Sequence, residues 1–197
     1  MSLMNELPQQ SAFAKASDIE VSNSTGSTVK FGTLLPADPS EKVVVGTFSV
    51  ELFQSCKQYV EQLASVPQES LERSKTRVII IGCGHSDAIS FYKESTKFLG
   101  NIYADPTREL YHALGMDIEN LAATPGERTT QLSQARHIFQ CGPLKRPNLI
   151  GKQGNISQLG GEFVFGPGKE CTFASRMQNT EDHIEVSELM KHAGVDL

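Results

Sequence analysis

No two cysteines of this 197-residue chain stand close together: Cys56, Cys83, Cys141 and Cys171 are separated by tens of residues. That spacing excludes the short-gap ligand pairs of a structural zinc site, and no metal is expected. Clusters of Lys and Arg are missing too, and the formal net charge is -5. A nucleic-acid backbone or an anionic membrane surface is therefore not an expected partner. Long apolar runs are absent: the longest, Val43 to Val45 and Val78 to Ile81, fall far short of the ~20 residues that span a bilayer. The stretch from Met1 to Ser17 has no basic leader ahead of an apolar core, so no secretory signal is expected. The compartment these absences point to is the cytoplasm, with thiols reduced at rest. Internal repeats and low-complexity tracts are also lacking. What remains is one mildly acidic domain, long enough to bury roughly 70% of its unfolded surface without a covalent staple.

Met1 to Ala16 is polar and reads as a poorly ordered or surface-draped lead-in, leaving residues 17–197 as the domain. Ile19 to Val21 and Thr28 to Phe31 alternate around Ser24-Thr25-Gly26, the pattern of a hairpin with one buried face. Lys42 to Phe48 is a β-branched run, as in a strand covered on both faces. Phe53, Cys56, Tyr59, Val60, Leu63 and Val66 then form a helical stripe that Pro67 stops. Glu69 to Leu71 predicts a further helical turn, Thr76 to Ile81 a second strand, Asp87 to Phe98 a helix, Asn101 to Tyr103 a strand, and Thr107 to about Leu114 a helix. This alternation predicts an α/β sheet with a parallel portion and ligands at the carboxyl ends of its strands.

The pattern weakens between about residues 117 and 158, an expected insertion. Within it Glu127 to Ile138 has helical character, and the Gly- and Pro-rich stretch from Gly142 to Ile156 is a candidate cover for a site. Glu162 to Phe165 and Glu170 to Ala174 then form a hairpin around Gly166-Pro167-Gly168-Lys169, and Ile184 to about His192 a last helix ending before Gly194.

Cys56 stands out because it opens a helix directly after a buried strand, where unpaired N–H groups and the helix dipole favour a thiolate. Cysteine is equally a common core residue, and Cys56 lies on the apolar stripe, so both roles stay open. Gly82-Cys83-Gly84-His85-Ser86-Asp87 begins like a dinucleotide fingerprint, but Asp87 stands where the third glycine belongs, and no cofactor is expected. His85 is a candidate base or a solvated loop residue. Arg176 either supplies a positive charge to a thiolate or is simply exposed.

Three blocks carry a family resemblance: Ser55-Cys56-Lys57-Gln58-Tyr59-Val60-Glu61-Gln62-Leu63, then Tyr103-Ala104-Asp105-Pro106-Thr107-Arg108-Glu109-Leu110-Tyr111-His112-Ala113-Leu114-Gly115-Met116, and Gln158-Leu159-Gly160-Gly161-Glu162-Phe163-Val164-Phe165-Gly166-Pro167-Gly168. With the Asp182-His183 pair before the last helix, these resemble the peroxiredoxin-like 2 group of the alkyl hydroperoxide reductase/thiol-specific antioxidant (AhpC/TSA) families. The resemblance implies a thioredoxin-like three-layer α/β/α fold with a central mixed sheet and an N-terminal β-hairpin. It also implies thiol–disulfide exchange or peroxide reduction, with a peroxide or small disulfide-type substrate and a thiol reductant such as thioredoxin or glutathione.

Group members often carry Cys-x-x-Cys at the helix start; here Phe53-Gln54-Ser55-Cys56 keeps only the second cysteine. The wider peroxiredoxin family places Pro seven residues and Thr three residues before its reactive cysteine, where this chain has Ser49 and Phe53. Cys83, at the end of the neighbouring strand, is a candidate resolving partner for Cys56 or a small residue in a tight turn. Gly160 and Gly161 occupy the place of the cis-proline of thioredoxin-like proteins, and suit either a close backbone approach to substrate or a bulge at the start of a strand. The expected site is thus Cys56, with Cys83 and Arg176 as helpers and Phe53, Gly160 and Gly161 lining it. Two functions follow: a thiol-dependent oxidoreductase using Cys56, or a redox-inactive binding protein that uses the old active-site groove.

Overall fold

The computed structural model describes residues 4–48, 54–120, 151–152 and 154–197. Among these residues, seven strands form one mixed sheet in the order β2-β1-β5-β4-β3-β6-β7. These are β1 (Glu20–Ser22), β2 (Thr28–Lys30), β3 (Lys42–Phe48), β4 (Thr76–Gly82), β5 (Asn101–Ala104), β6 (Gly161–Phe165) and β7 (Cys171–Arg176). β3, β4 and β5 run parallel; β6 and β7 extend the sheet antiparallel on one side and the β1–β2 hairpin on the other. Among the described residues, the helices are α1 (Gln10–Asp18), α2 (Phe31–Leu34), α3 (Gln54–Ala64), α4 (Gln68–Arg73), α5 (Ile89–Thr96), α6 (Glu109–Ala113) and α7 (Val186–His192). The lead-in is thus helical rather than unordered from Gln10 onward: Phe13 packs on Phe165 and Ala16 is buried.

Strand alternation sorts the core onto two faces. Val44 and Phe48 of β3, Val78 and Ile80 of β4 and Val164 of β6 face α3, α4, α5 and α7. Val43, Val45, Ile79, Ile81, Phe163 and Phe165 face α1, α2 and α6. Because β3, β4 and β5 step across the sheet in one direction, right-handed crossovers must set α3, α4 and α5 on the same face, as observed. The stripe read from the sequence is the inner face of α3, with Cys56, Tyr59, Val60 and Leu63 all buried.

Local chemistry fastens the open end of the parallel strands. Tyr111 Oη donates to the carbonyls of Phe48 and Ile81, at 2.9 and 2.8 Å, and so ties together the ends of β3 and β4. The Asp105 carboxylate, ahead of α6, accepts from the Thr107 hydroxyl and from the Leu110 N–H in the first turn of that helix. Within the insertion, residues 127–138 lie outside the described residues. Its returning end is visible: Gly154, at φ +74°, passes so close to the Cys83 carbonyl that a Cβ there would sit 2.1 Å from the oxygen.

Candidate active site

Cys56 lies in the first turn of α3, 5% exposed and free of any disulfide. Its surroundings come from three other elements. Phe48, the last residue of β3, folds its ring back over Gly46, where a Cβ would sit 2.7 Å from ring carbons. Gly46 is the register partner of Glu162 on β6, so the glycine leaves room for an aromatic wall beside that carboxylate. The third contributor is His183, in the turn before α7, a turn closed by the Gln178 N–H donating to Asp182 Oδ2 at 2.9 Å.

The His183 ring is clamped on two sides. Tyr59 stacks on it at 4.4 Å between centroids with an interplanar angle of 12°, and Phe48 meets it edge-on at 5.4 Å. His183 Nδ1 lies 2.9 Å from Glu162 Oε1, with side-chain exposures of 8% and 0%. A carboxylate accepts only, so this contact fixes the proton on Nδ1 and turns the ring. Burial alone would discharge the imidazole. The neighbouring Cys56 and Glu162 together outweigh that and raise the His183 pKa from 6.5 to about 10. Burial pushes the Glu162 carboxyl up while His183 draws it back. Among the described residues, His183 Nε2, Glu162 Oε2 and the Tyr59 hydroxyl have no hydrogen-bond partner. Such groups are costly to bury, and they concentrate here around one thiol. A cleft of about 190 Å³ opens over Tyr59 and His183, bordered by Gln58, Gln62, Glu181 and Glu185.

The other expected residues distribute differently. Cys83 is fully buried on the opposite face of the sheet from Cys56, and its thiol donates to the Asn155 carbonyl at 3.4 Å. Arg176 is also on that opposite face, so it supplies no charge to Cys56; nor is it exposed, at 6%. Alternation along β7 turns it away. It donates to the carbonyls of Leu114 and Glu6 at 2.6 and 2.8 Å and lies over the Phe163 ring. Gly160 and Gly161 do provide a close backbone approach, but to protein: a Cβ on Gly160 would sit 1.7 Å from the Thr47 carbonyl oxygen, and one on Gly161 2.4 Å from that of Ser175. Thr47 Oγ1 accepts from the Gly161 N–H and reaches its carbonyl, both at 2.8 Å. His85 is exposed and faces Asp87, which Lys152 also pairs. Cys171 is half-buried in β7, where burial pushes its thiol up to about 11. Phe53 and Cys141 lie outside the described residues.

The sequence marks Glu162 only as part of a strand and of the resemblance, and His183 only for its place in the resemblance; neither is singled out as a site residue. A signal for Glu162 existed: an acidic residue within a strand covered on both faces must be buried, and a buried carboxylate needs a partner.

The mixed sheet, its helical layers and a cysteine in the first turn after β3 define a thioredoxin-like fold of the peroxiredoxin type. Solved structures agree. Xanthomonas campestris peroxiredoxin Q superposes with a TM-score of 0.59, covering 96% of this chain and 92% of that one at 11% identity. A cysteine-to-serine mutant of Arenicola marina peroxiredoxin 6 gives 0.63, covering 95% and 71% at 16% identity. In sequence, human peroxiredoxin-like 2C is 31% identical over 189 residues, 92% of this chain and 80% of its own. The chloroplastic thioredoxin-like protein AAED1 of Arabidopsis thaliana is 27% identical over 139 residues, 69% and 55% of the two chains. Residues 62–179 match the AhpC/TSA antioxidant enzyme family. The chain belongs to that family, and its role is of the redox, antioxidant type.

Proposed function

We propose that the protein is a cytoplasmic thiol-dependent antioxidant whose reactive group is Cys56, oxidised by a peroxide and restored by a small thiol or a dithiol protein such as thioredoxin. The observation that carries this reading is the placement of Cys56 at the start of α3 beside the His183–Glu162 ion pair. A helix N-terminus and an imidazolium both stabilise a thiolate, the form of cysteine that attacks. Thiolate attack on a hydroperoxide, ROOH, forms an S–O bond and breaks the O–O bond, leaving Cys56 sulfenic acid and the alcohol ROH once a proton is delivered. One thiol then condenses with the sulfenic acid to a mixed disulfide and water, and a second releases the Cys56 thiol and a disulfide. Support by analogy comes from the Xanthomonas campestris bacterioferritin comigratory protein, a fold relative described by its alkyl peroxide reduction activity.

The 5% exposure of Cys56 favours a second reading, a redox-inactive protein that binds ligands in the same groove. One experiment separates the two. Incubated with tert-butyl hydroperoxide and dithiothreitol, the protein should consume peroxide, form a sulfenic acid on Cys56 detectable by mass spectrometry, and lose both properties in Cys56→Ser. A Cys56 that takes up neither oxygen nor an alkylating reagent in the folded protein would overturn the redox reading in favour of binding.

A further inference from the structure

The thiolate alone does not complete the reaction just described. Attack on ROOH expels an alkoxide, RO⁻, a poor leaving group unless a proton reaches it as the O–O bond breaks. The described residues around Cys56 offer few donors. Tyr111 is committed to two backbone carbonyls, burial holds the Tyr59 hydroxyl far above its usual pKa and so makes it a weak acid, Arg176 is on the far face of the sheet, and His85 is exposed beside Asp87. His183 remains. Its Nδ1 is taken by Glu162, its ring plane is held by Tyr59 and Phe48, and its Nε2 is buried with no partner in the resting protein. A group this constrained, with one unused nitrogen beside a nucleophile, has the geometry of a proton donor awaiting substrate. Catalytic hydrogen bonds of this kind are commonly incomplete until the reactant is bound.

We propose that His183, oriented by Glu162, is the general acid that protonates the leaving oxygen when Cys56 opens a peroxide. The inference rests on the reading of Cys56 as the peroxide-reactive thiol. In the step, the Cys56 sulfur attacks the terminal oxygen of ROOH, the O–O electron pair leaves with the RO fragment, and the Nε2 proton of His183 moves onto it. Cys56 sulfenic acid, ROH and neutral His183 result, the sulfur oxidised by two electrons and the peroxide reduced by two. The cleft over Tyr59 and His183 gives solvent a route to return the proton. His183 is a catalytic residue in this scheme, and Glu162, which acts through it, a positioning residue. The charged and titratable groups facing the ring are Cys56 and Tyr59 from α3 and Glu162 from β6, with Glu181, Asp182 and Glu185 in its own turn.

The test uses the dependence on leaving group, which a merely structural role would not move. Rates of Cys56 oxidation are measured by stopped flow at pH 7 with tert-butyl hydroperoxide, whose alkoxide needs the proton, and with peracetic acid, whose carboxylate leaves without one. His183→Gln is expected to slow the first reaction about 100-fold, the low end of what a positioned acid contributes, and the second less than about fivefold. Glu162→Gln should show the same selective loss and Glu162→Asp recover part of it. Should either Gln variant fail to fold, a series of alkyl hydroperoxides on the wild-type protein replaces it: acid catalysis predicts a rate nearly independent of the acidity of the leaving alcohol. Equal slowing of both oxidants in His183→Gln, or a steep wild-type dependence on the leaving alcohol, would overturn the role of His183 alone. A wild-type Cys56 inert to both oxidants would instead overturn the peroxidase reading beneath it.

Discussion

His183 Nδ1 and Glu162 Oε1 lie 2.9 Å apart with both side chains almost entirely withdrawn from water. Removing one partner of such a pair strands the other's charge in the core, which makes the contact costly to break whatever its net contribution.

The pair should give stability an alkaline limb. The His183 pKa is raised from 6.5 to about 10, so its contribution is fully present below about pH 6.5 and is lost as pH rises through about 10. The urea midpoint of the wild-type protein should fall between pH 7 and pH 10, and His183→Gln should flatten that fall while lowering the midpoint at pH 7. A wild-type midpoint unchanged across this window would contradict the assignment.

Cys83 should be dispensable for the first oxidation. It lies on the other face of the sheet from Cys56, covered by Gly154 and Asn155. Cys83→Ser should therefore keep peroxide consumption within about twofold of wild type, and mild oxidation with a small thiol present should yield a mixed disulfide on Cys56. A dominant Cys56–Cys83 crosslinked peptide in the mass spectrum would show instead that the sheet end opens during turnover.

Arg176 should matter to folding and not to the thiol. Arg176→Ala removes charged donors from the buried carbonyls of Leu114 and Glu6, at a cost of about 2–3 kcal/mol. Denaturant titration should show that loss, with the alkylation rate of Cys56 in the folded variant within about twofold of wild type.

Gly160 tolerates no side chain. A Cβ 1.7 Å from the Thr47 carbonyl oxygen must push β6 off β3, so Gly160→Ala should cost upward of about 3 kcal/mol and reduce soluble yield. Gly26, whose added Cβ would meet nothing within 4 Å, serves as the control: Gly26→Asn should stay within about 1 kcal/mol of wild type.

Much of the architecture was legible because periodicity reports burial. Val43 to Val45 and Val78 to Ile81 had to be inner strands, and the stripe from Cys56 through Leu63 had to face the sheet; all are buried. The α1 helix was not legible. Its polar composition gives little pattern, and what holds it is the contact of Phe13 with Phe165, some 150 residues away. The position of Cys56 at a helix start was likewise readable in one dimension, from a strand followed directly by a helical stripe.

Which side chains meet that thiol was not. Cys83 and Arg176 suited it by chemistry, but strand pleating places both on the far face, and pleating acts only once register is set across β3, β4, β6 and β7. Glu162 and His183 are 21 residues apart and join only because β6 pairs with β3 while the chain after β7 returns over the same sheet face. Local propensity and hydrophobic period, acting over a few residues, thus determined the elements, the family pattern and the candidate thiol. Which groups share a face with it depends on register and chain return, which are settled by long-range packing.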